Sequence, residues 1–157
     1  MTTVLLHLDG EVQNARALTF DDLASVDAAY QVDDVSRIDP KRQGQAVTLG
    51  GLLKLAGPTP AARFLGLHSS TDDFHASIPL EPILERALLI YALDGRRLPA
   101  SSGGPVRFFI PDFAVCRTHE IDECANVKFV DHIELTQSKG RDNRPQDETE
   151  HDQLHGR

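Results

Sequence analysis

Apolar and polar positions along the chain alternate between two periods, and each stretch reads as a short element. Val4-Leu5-Leu6-His7-Leu8 forms a first strand, closed by Asp9-Gly10. Thr19-Phe20-Asp21-Asp22 has the form of a helix cap, with a hydroxyl to accept an orphan amide and acids where the helix dipole favours negative charge; a short helix to about Ser25 is predicted. The partial alternation from Tyr30 to Ile38 predicts a strand running into a loop over Asp39 to Gly44. Thr48 caps a second helix, whose Leu49, Leu52, Leu53 and Ala56 fall on one apolar stripe and whose end is marked by Gly57-Pro58.

Strands are expected at Arg63 to His68 and Phe74 to Ile78, then a short helix at Glu81 to Arg86. Leu88-Leu89-Ile90-Tyr91-Ala92-Leu93 is apolar at every position, the mark of a strand covered on both faces. Asp94-Gly95 behind it is a two-residue hairpin signal, since both turn positions need positive φ. Val106 to Ile110 and Val127 to Thr136 are the last predicted strands. From Gln137 the chain turns polar, with Leu154 its one aliphatic residue, so residues 1–136 read as one folded domain and 137–157 as a polar, flexible tail or partner-docking arm.

Composition narrows the class. Of the 157 residues 40% are hydrophobic and 25% charged, which suffices for one core of ordinary size. A net charge of -8 argues against binding a nucleic-acid backbone, which needs clustered Lys and Arg; Arg96-Arg97 in a turn is a weak cluster. The N-terminal stretch has neither a basic region nor an apolar run of signal-peptide length, and no segment approaches a membrane span. A cytoplasmic protein is the expectation, with Cys116 and Cys124 reduced.

Longer motifs add a family. Leu88 to Pro99, with its Asp94-Gly95 turn, runs on into Gly103-Gly104-Pro105-Val106-Arg107-Phe108-Phe109-Ile110-Pro111. Val47 to Gly57, Phe74 to Glu81 and Asn126 to Leu135 carry three further motifs in the same order. Together, over roughly Thr19 to Thr136, they resemble the molybdopterin-binding domain of sulfite-oxidase-type oxidoreductases. The resemblance implies an α+β, sulfite-oxidase-type molybdopterin-binding fold, mostly β with short helices. It also implies a molybdopterin cofactor and oxygen-atom or electron transfer.

The departures from the family bear on chemistry. The family's metal-ligating cysteine has no counterpart in Val32 to Pro40; Ser36 stands closest to its position, as a hydrogen-bonded loop residue or as a hard ligand. By the resemblance, Ser36, Arg37, Asn126 and Lys128 lie nearest the cofactor. Lys128 either contacts a phosphate or pterin, or is a solvent-facing strand residue. Cys116 and Cys124 flank His119 in an unusual loop and admit three readings: ordinary buried thiols, a disulfide, or a metal site with His119 as third ligand, although the spacing fits no standard zinc pattern. His68 and His75 could face one pocket, or be satisfied singly by backbone. Asp33-Asp34 and Asp72-Asp73 are adjacent pairs whose members point to opposite faces of a strand. Two functions follow: a small oxidoreductase domain, or a binding module that keeps the fold without the chemistry and is joined by a protein partner through the tail. A thiol- or metal-responsive module at Cys116 and Cys124 is the third reading.

Overall fold

The computed structural model describes residues 3–111, 121 and 125–144. Two sheets carry the fold. The first has the order β2-β1-β10-β5-β6. It is built from β1 (Val4–Gly10), β2 (Arg16–Thr19), β5 (Phe64–Ser69), β6 (Phe74–Pro79) and β10 (His132–Thr136). The second has the order β3-β4-β7-β8, with β9 also on β7. Its strands are β3 (Gln31–Val32), β4 (Gln45–Thr48), β7 (Leu88–Leu93), β8 (Arg96–Arg97) and β9 (Arg107–Phe109).

The main core lies between the sheets. Leu6, Leu8, Leu65, Leu67, Ile133 and Leu135 come from the first, and Val47, Leu89, Tyr91 and Phe108 from the second. In β1, β5, β7 and β10 these core residues are spaced two apart, as the period of a pleated strand requires. The other face of β7 is covered too, because Leu88 and Ile90 pack with Val35, Ala46, Leu98 and Phe109 in a second cluster. This double burial explains the unbroken apolar run of β7. The Asp94-Gly95 turn behind it has φ of 53° and 76°, and joins Leu93 to Arg96.

The helices close the ends of the core. In α1 (Phe20–Ala24) the Thr19 hydroxyl accepts from the Asp22 amide and the Asp22 carboxylate accepts from the Thr19 amide, a complete capping box. In α2 (Leu49–Lys54) Thr48 accepts from the Gly51 amide and Leu49, Leu52 and Leu53 are buried. No helix among the described residues is long and apolar enough to cross a membrane.

Several elements are shorter than the periodicity predicts. The stretch from Tyr30 to Ile38 is a strand only at Gln31–Val32 and then tightens into a 3-10 turn over Val35–Arg37, because the Asp34 side chain accepts from the Ser36 amide and starts a turn. The helix expected at Glu81 to Arg86 is one 3-10 turn, Glu81–Ile83. The final strand begins at His132, since residues 127–130 bond sideways to the 103–108 segment and Phe129 takes a φ of 57°. The pairing of β10 with β1 is parallel, joining the two ends of the domain.

Residues 140–144, within the expected tail, lie along the free edge of β6. The Asn143 amide donates to the His75 carbonyl at 2.9 Å. In return the His75 amide donates to Asn143 Oδ1 at 2.8 Å, and the Ser77 amide to Asp142 Oδ2 at 3.0 Å. Side chains thus occupy amides that an open edge would offer to another strand. Beneath them Arg144 Nη2 meets Asp142 Oδ2 at 2.6 Å, with side chains only 5% and 4% exposed. Residues after Arg144 lie outside the described residues.

Candidate anion and cofactor site on the second sheet

The Gly103-Gly104-Pro105 bend is held by backbone contacts that leave no room for side chains. A Cβ on Gly104 would fall 1.8 Å from the Leu98 carbonyl oxygen. Gly103 has a φ of 97°, and a Cβ there would lie 3.0 Å from Arg107 Cδ and 3.4 Å from Lys128 Cγ. The missing side chain is a cradle in which the stems of these two cations rest together. Lys128 is brought there by main-chain bonds: the Phe129 amide donates to the Gly103 carbonyl, the Phe108 amide to that of Val127, and the Val130 amide to that of Val106.

A third cation comes from the loop between β3 and β4. Gly44, at a φ of 123°, lets this loop approach β7 so closely that a Cβ would sit 2.5 Å from the Ala92 carbonyl oxygen. Arg42 then lies over the Phe109 ring, with its guanidinium carbon 5.0 Å from the centroid. Burial, and next the charge of Arg42, pushes the Arg107 guanidinium below its ordinary value. It remains a cation at any relevant pH. Arg107 Nη1 donates to the Ser102 carbonyl at 3.4 Å. The Nε atoms of Arg42 and Arg107 are both buried and have no hydrogen-bond partner among the described residues. A buried unsatisfied donor costs about 1–3 kcal/mol, more when charged, and here two such donors belong to neighbouring like charges. An anion with several acceptor oxygens or sulfurs would relieve both penalties.

The residues expected near the cofactor separate into two groups. Lys128 is exposed and lies outside any strand, with its stem beside that of Arg107 at Gly103. Asn126 accepts from the Ile110 amide through Oδ1 at 2.8 Å, and so ties off the end of β9. Ser36 donates to Asp34 Oδ1 at 2.5 Å, and this bond, with that of the Ser36 amide, holds the Asp34 carboxyl below its usual range. Arg37 is 82% exposed, with Nε 3.9 Å from Asp34. Val35, in the same turn, packs in the Phe109 cluster, so Ser36 and Arg37 belong to the loop that supplies Arg42. Arg42 and Arg107 escape a reading by motif. Arg107 sits inside the Gly-Gly-Pro signature, where it reads as part of a strand, and Arg42 lies in a loop with no periodicity. Cys116, His119 and Cys124 lie outside the described residues. No group of three or more His, Cys, Asp or Glu among the described residues could hold a metal ion.

His68 and His75, read either as facing one pocket or as satisfied by backbone, are on the first sheet, and their rings bond to one another and to carboxylates. His68 Nδ1 lies 2.8 Å from His75 Nδ1. His68 Nε2 lies 3.1 Å from Glu134 Oε1, and His75 Nε2 lies 2.8 Å from Asp73 Oδ1. His132 Nε2 meets Asp9 Oδ1 at 2.7 Å, beside an open depression of about 500 Å³ lined by Val4, Leu5, His7, Asp9, Asp131 and His132.

Comparison with known proteins agrees with this architecture. The solved sulfane dehydrogenase SoxCD from Paracoccus pantotrophus is similar in fold, with a TM-score of 0.62 and 17% identity over 87% of this chain. This chain spans 39% of the length of that one. No curated protein sequence matches. The family model for the oxidoreductase molybdopterin binding domain matches residues 43–143, which include Arg107, Lys128 and the whole Gly103-Gly104-Pro105 bend. That match spans well over half of the 157 residues, so a sulfite-oxidase-type fold with a cationic cradle at its glycine bend identifies the chain as a member of the oxidoreductase molybdopterin-binding domain family.

Proposed function

We propose that the chain binds molybdopterin through its anionic end, with Arg107, Arg42 and Lys128 as the residues that hold it. The observation that carries this reading is the pair of buried Nε–H groups on Arg42 and Arg107 that have no partner among the described residues. Their planar guanidiniums suit a phosphate better than a single ammonium would, because each presents a fork of donors. Bound there, the cofactor would supply a dithiolene-held metal for oxygen-atom or electron transfer. The chain's own part is to neutralise the phosphate, orient the pterin and shield it: Phe109 and Val35 form an apolar floor beneath Arg42. Ser36 is a poor metal ligand in this reading, since its hydroxyl is committed to Asp34.

That commitment supports a second reading, in which the cofactor or another phosphate-bearing anion is held without turnover. A cytoplasmic setting suits both and is supported by the acidic composition. Purification from a host competent in cofactor synthesis tests them. Pterin fluorescence after oxidation, together with stoichiometric molybdenum, is expected under the first reading, and pterin or phosphate without turnover of sulfite or a sulfoxide under the second. A preparation that carries no pterin and binds neither phosphate nor a phosphorylated pterin would overturn both.

A further inference from the structure

A row of histidines runs straight across the first sheet. The register pairs His7 with His132, His132 with His68, and His68 with His75, so the row crosses β1, β10, β5 and β6 on one face. The His68 and His132 rings lie 4.9 Å apart, and those of His68 and His75 5.0 Å.

Counting protons on the central pair gives an odd result. Each Nε2 faces a carboxylate oxygen, of Glu134 for His68 and of Asp73 for His75, so each Nε2 must carry a hydrogen. The facing Nδ1 atoms, 2.8 Å apart, then need one hydrogen between them. Without it two lone pairs meet; with one on each ring two N–H groups collide. The contacts are all satisfied only when the two rings hold one proton beyond neutrality, shared along the Nδ1–Nδ1 line.

The pair is wired to residues 140–144. Asp73 Oδ1, which receives His75 Nε2, also receives Arg141 Nη2 at 3.3 Å. The Asp73 carbonyl accepts from Asn143 Nδ2 at 2.7 Å, and the His75 backbone exchanges hydrogen bonds with Asn143. We infer that His68 and His75 form a proton-sharing latch that holds residues 140–144 on the edge of β6 near neutral pH and releases them in mild acid.

The surroundings set the direction. Facing the pair are Glu134 and His132 from β10, Asp73 from the turn before β6, and Arg141 from the docked segment. Asp9 of β1 faces His132, Asp131 holds the Ser70 hydroxyl, and Arg144 pairs with Asp142 under Ser77. Burial pushes His68 down, the Glu134 hydrogen bond pulls it up, and the charges of His132 and His75 push it down again; the net direction is down. The second proton is therefore resisted until the pH falls below the ordinary histidine value. A group lowered in this way contributes stability that is full above that value and is lost as pH falls through the folded one.

Two measurements on the full chain test the latch. Imidazole nitrogen shifts followed by NMR across pH 7 to 4 should show one ring proton shared by His68 and His75, with the second added in one step. Over the same range the exchange protection of the Asn143 amide, corrected for its intrinsic rate, should fall at least about tenfold. In His68→Gln that pH dependence should vanish. Should His68→Gln fail to fold, Glu134→Gln is the second variant, because it weakens the Nε2 contact at a half-exposed position and should shift the midpoint. Independent titration of the two rings, or unchanged Asn143 protection across the range, would overturn the proposal.

Discussion

The two sheets treat charge on their outer faces in opposite ways. On the first, His68, His75 and His132 each meet a carboxylate within 3.1 Å, and Arg144 is buried against Asp142. On the second, Arg42 and Arg107 are brought together with Nε–H groups that find no acceptor among the described residues. The first face is complete in itself and responds to protons. The second leaves two buried donors unmet among the described residues, which an anion would satisfy under the proposed function. In a chain of net charge -8, acidic residues were available to neutralise the second face as they do the first. Among the described residues no carboxylate takes up these two Nε–H groups, and the anion-binding reading rests on that difference between the faces.

The strongest way to break this contrast is at the bend. Gly104→Ala would place a methyl group against the Leu98 carbonyl, a backbone clash that cannot relax by rotamer change. We expect a loss of about 3 kcal/mol or more in denaturant unfolding, with loss of anion binding. On the first sheet Asp142→Asn removes a carboxylate that the buried Arg144 meets at 2.6 Å, a change typically worth roughly 3 kcal/mol. Because the segment is short and peripheral, the loss should appear as local opening, read by exchange at Asn143, before global unfolding. Burial would raise the Asp142 carboxyl, but the Arg144 side chain, with the Ser77 and Arg144 amides, holds it below the ordinary Asp value of 3.8. Its contribution is full above that value and lost as pH falls through the lower, folded one, so release at Asp142 should follow the histidine step in stronger acid.

Arg107→Met sharpens the comparison by its sign. Removing one of two neighbouring cations should leave the ligand-free protein equally or more stable. It should weaken phosphate or pterin binding about 10- to 100-fold, the worth of one or two charge-assisted hydrogen bonds. Paired thermal melts and calorimetric titration would separate the effects, and a variant destabilised without loss of binding would mean that Arg107 is structural. The smallest effect belongs to neither face: Thr19→Ala removes half of the capping box and should cost about 1 kcal/mol, with binding and exchange at Asn143 unchanged.

Much of the fold was legible from short-range signals. Thr19 and Thr48 as caps, the Asp94-Gly95 turn and the doubly covered β7 all depend on residues within a few positions of one another. Elements were missed or overextended where a distant contact decided. β2 and β4 carry little alternation of their own and exist because β1 and β7 pair with them. The predicted strand from Val127 loses its first residues to sideways bonds with the 103–108 segment. Of the candidate site, Lys128 was singled out through its motif, and its stem lies beside Gly103 with the residue exposed. Arg42 was not, since its role depends on Gly44 admitting the loop to β7 and on an aromatic ring more than sixty residues away.

The family, the periodic elements and the location of the sharp turns can be read from residue order alone, because capping, glycine conformation and strand alternation act locally. Which charges meet is set by the assembled fold. The register of four strands set His7, His132, His68 and His75 in one row, and the glycine bend put Arg107 and Lys128 side by side with Arg42 close to Arg107. Electrostatic interaction depends on separations of a few ångströms between residues remote in the chain, and no local pattern encodes those.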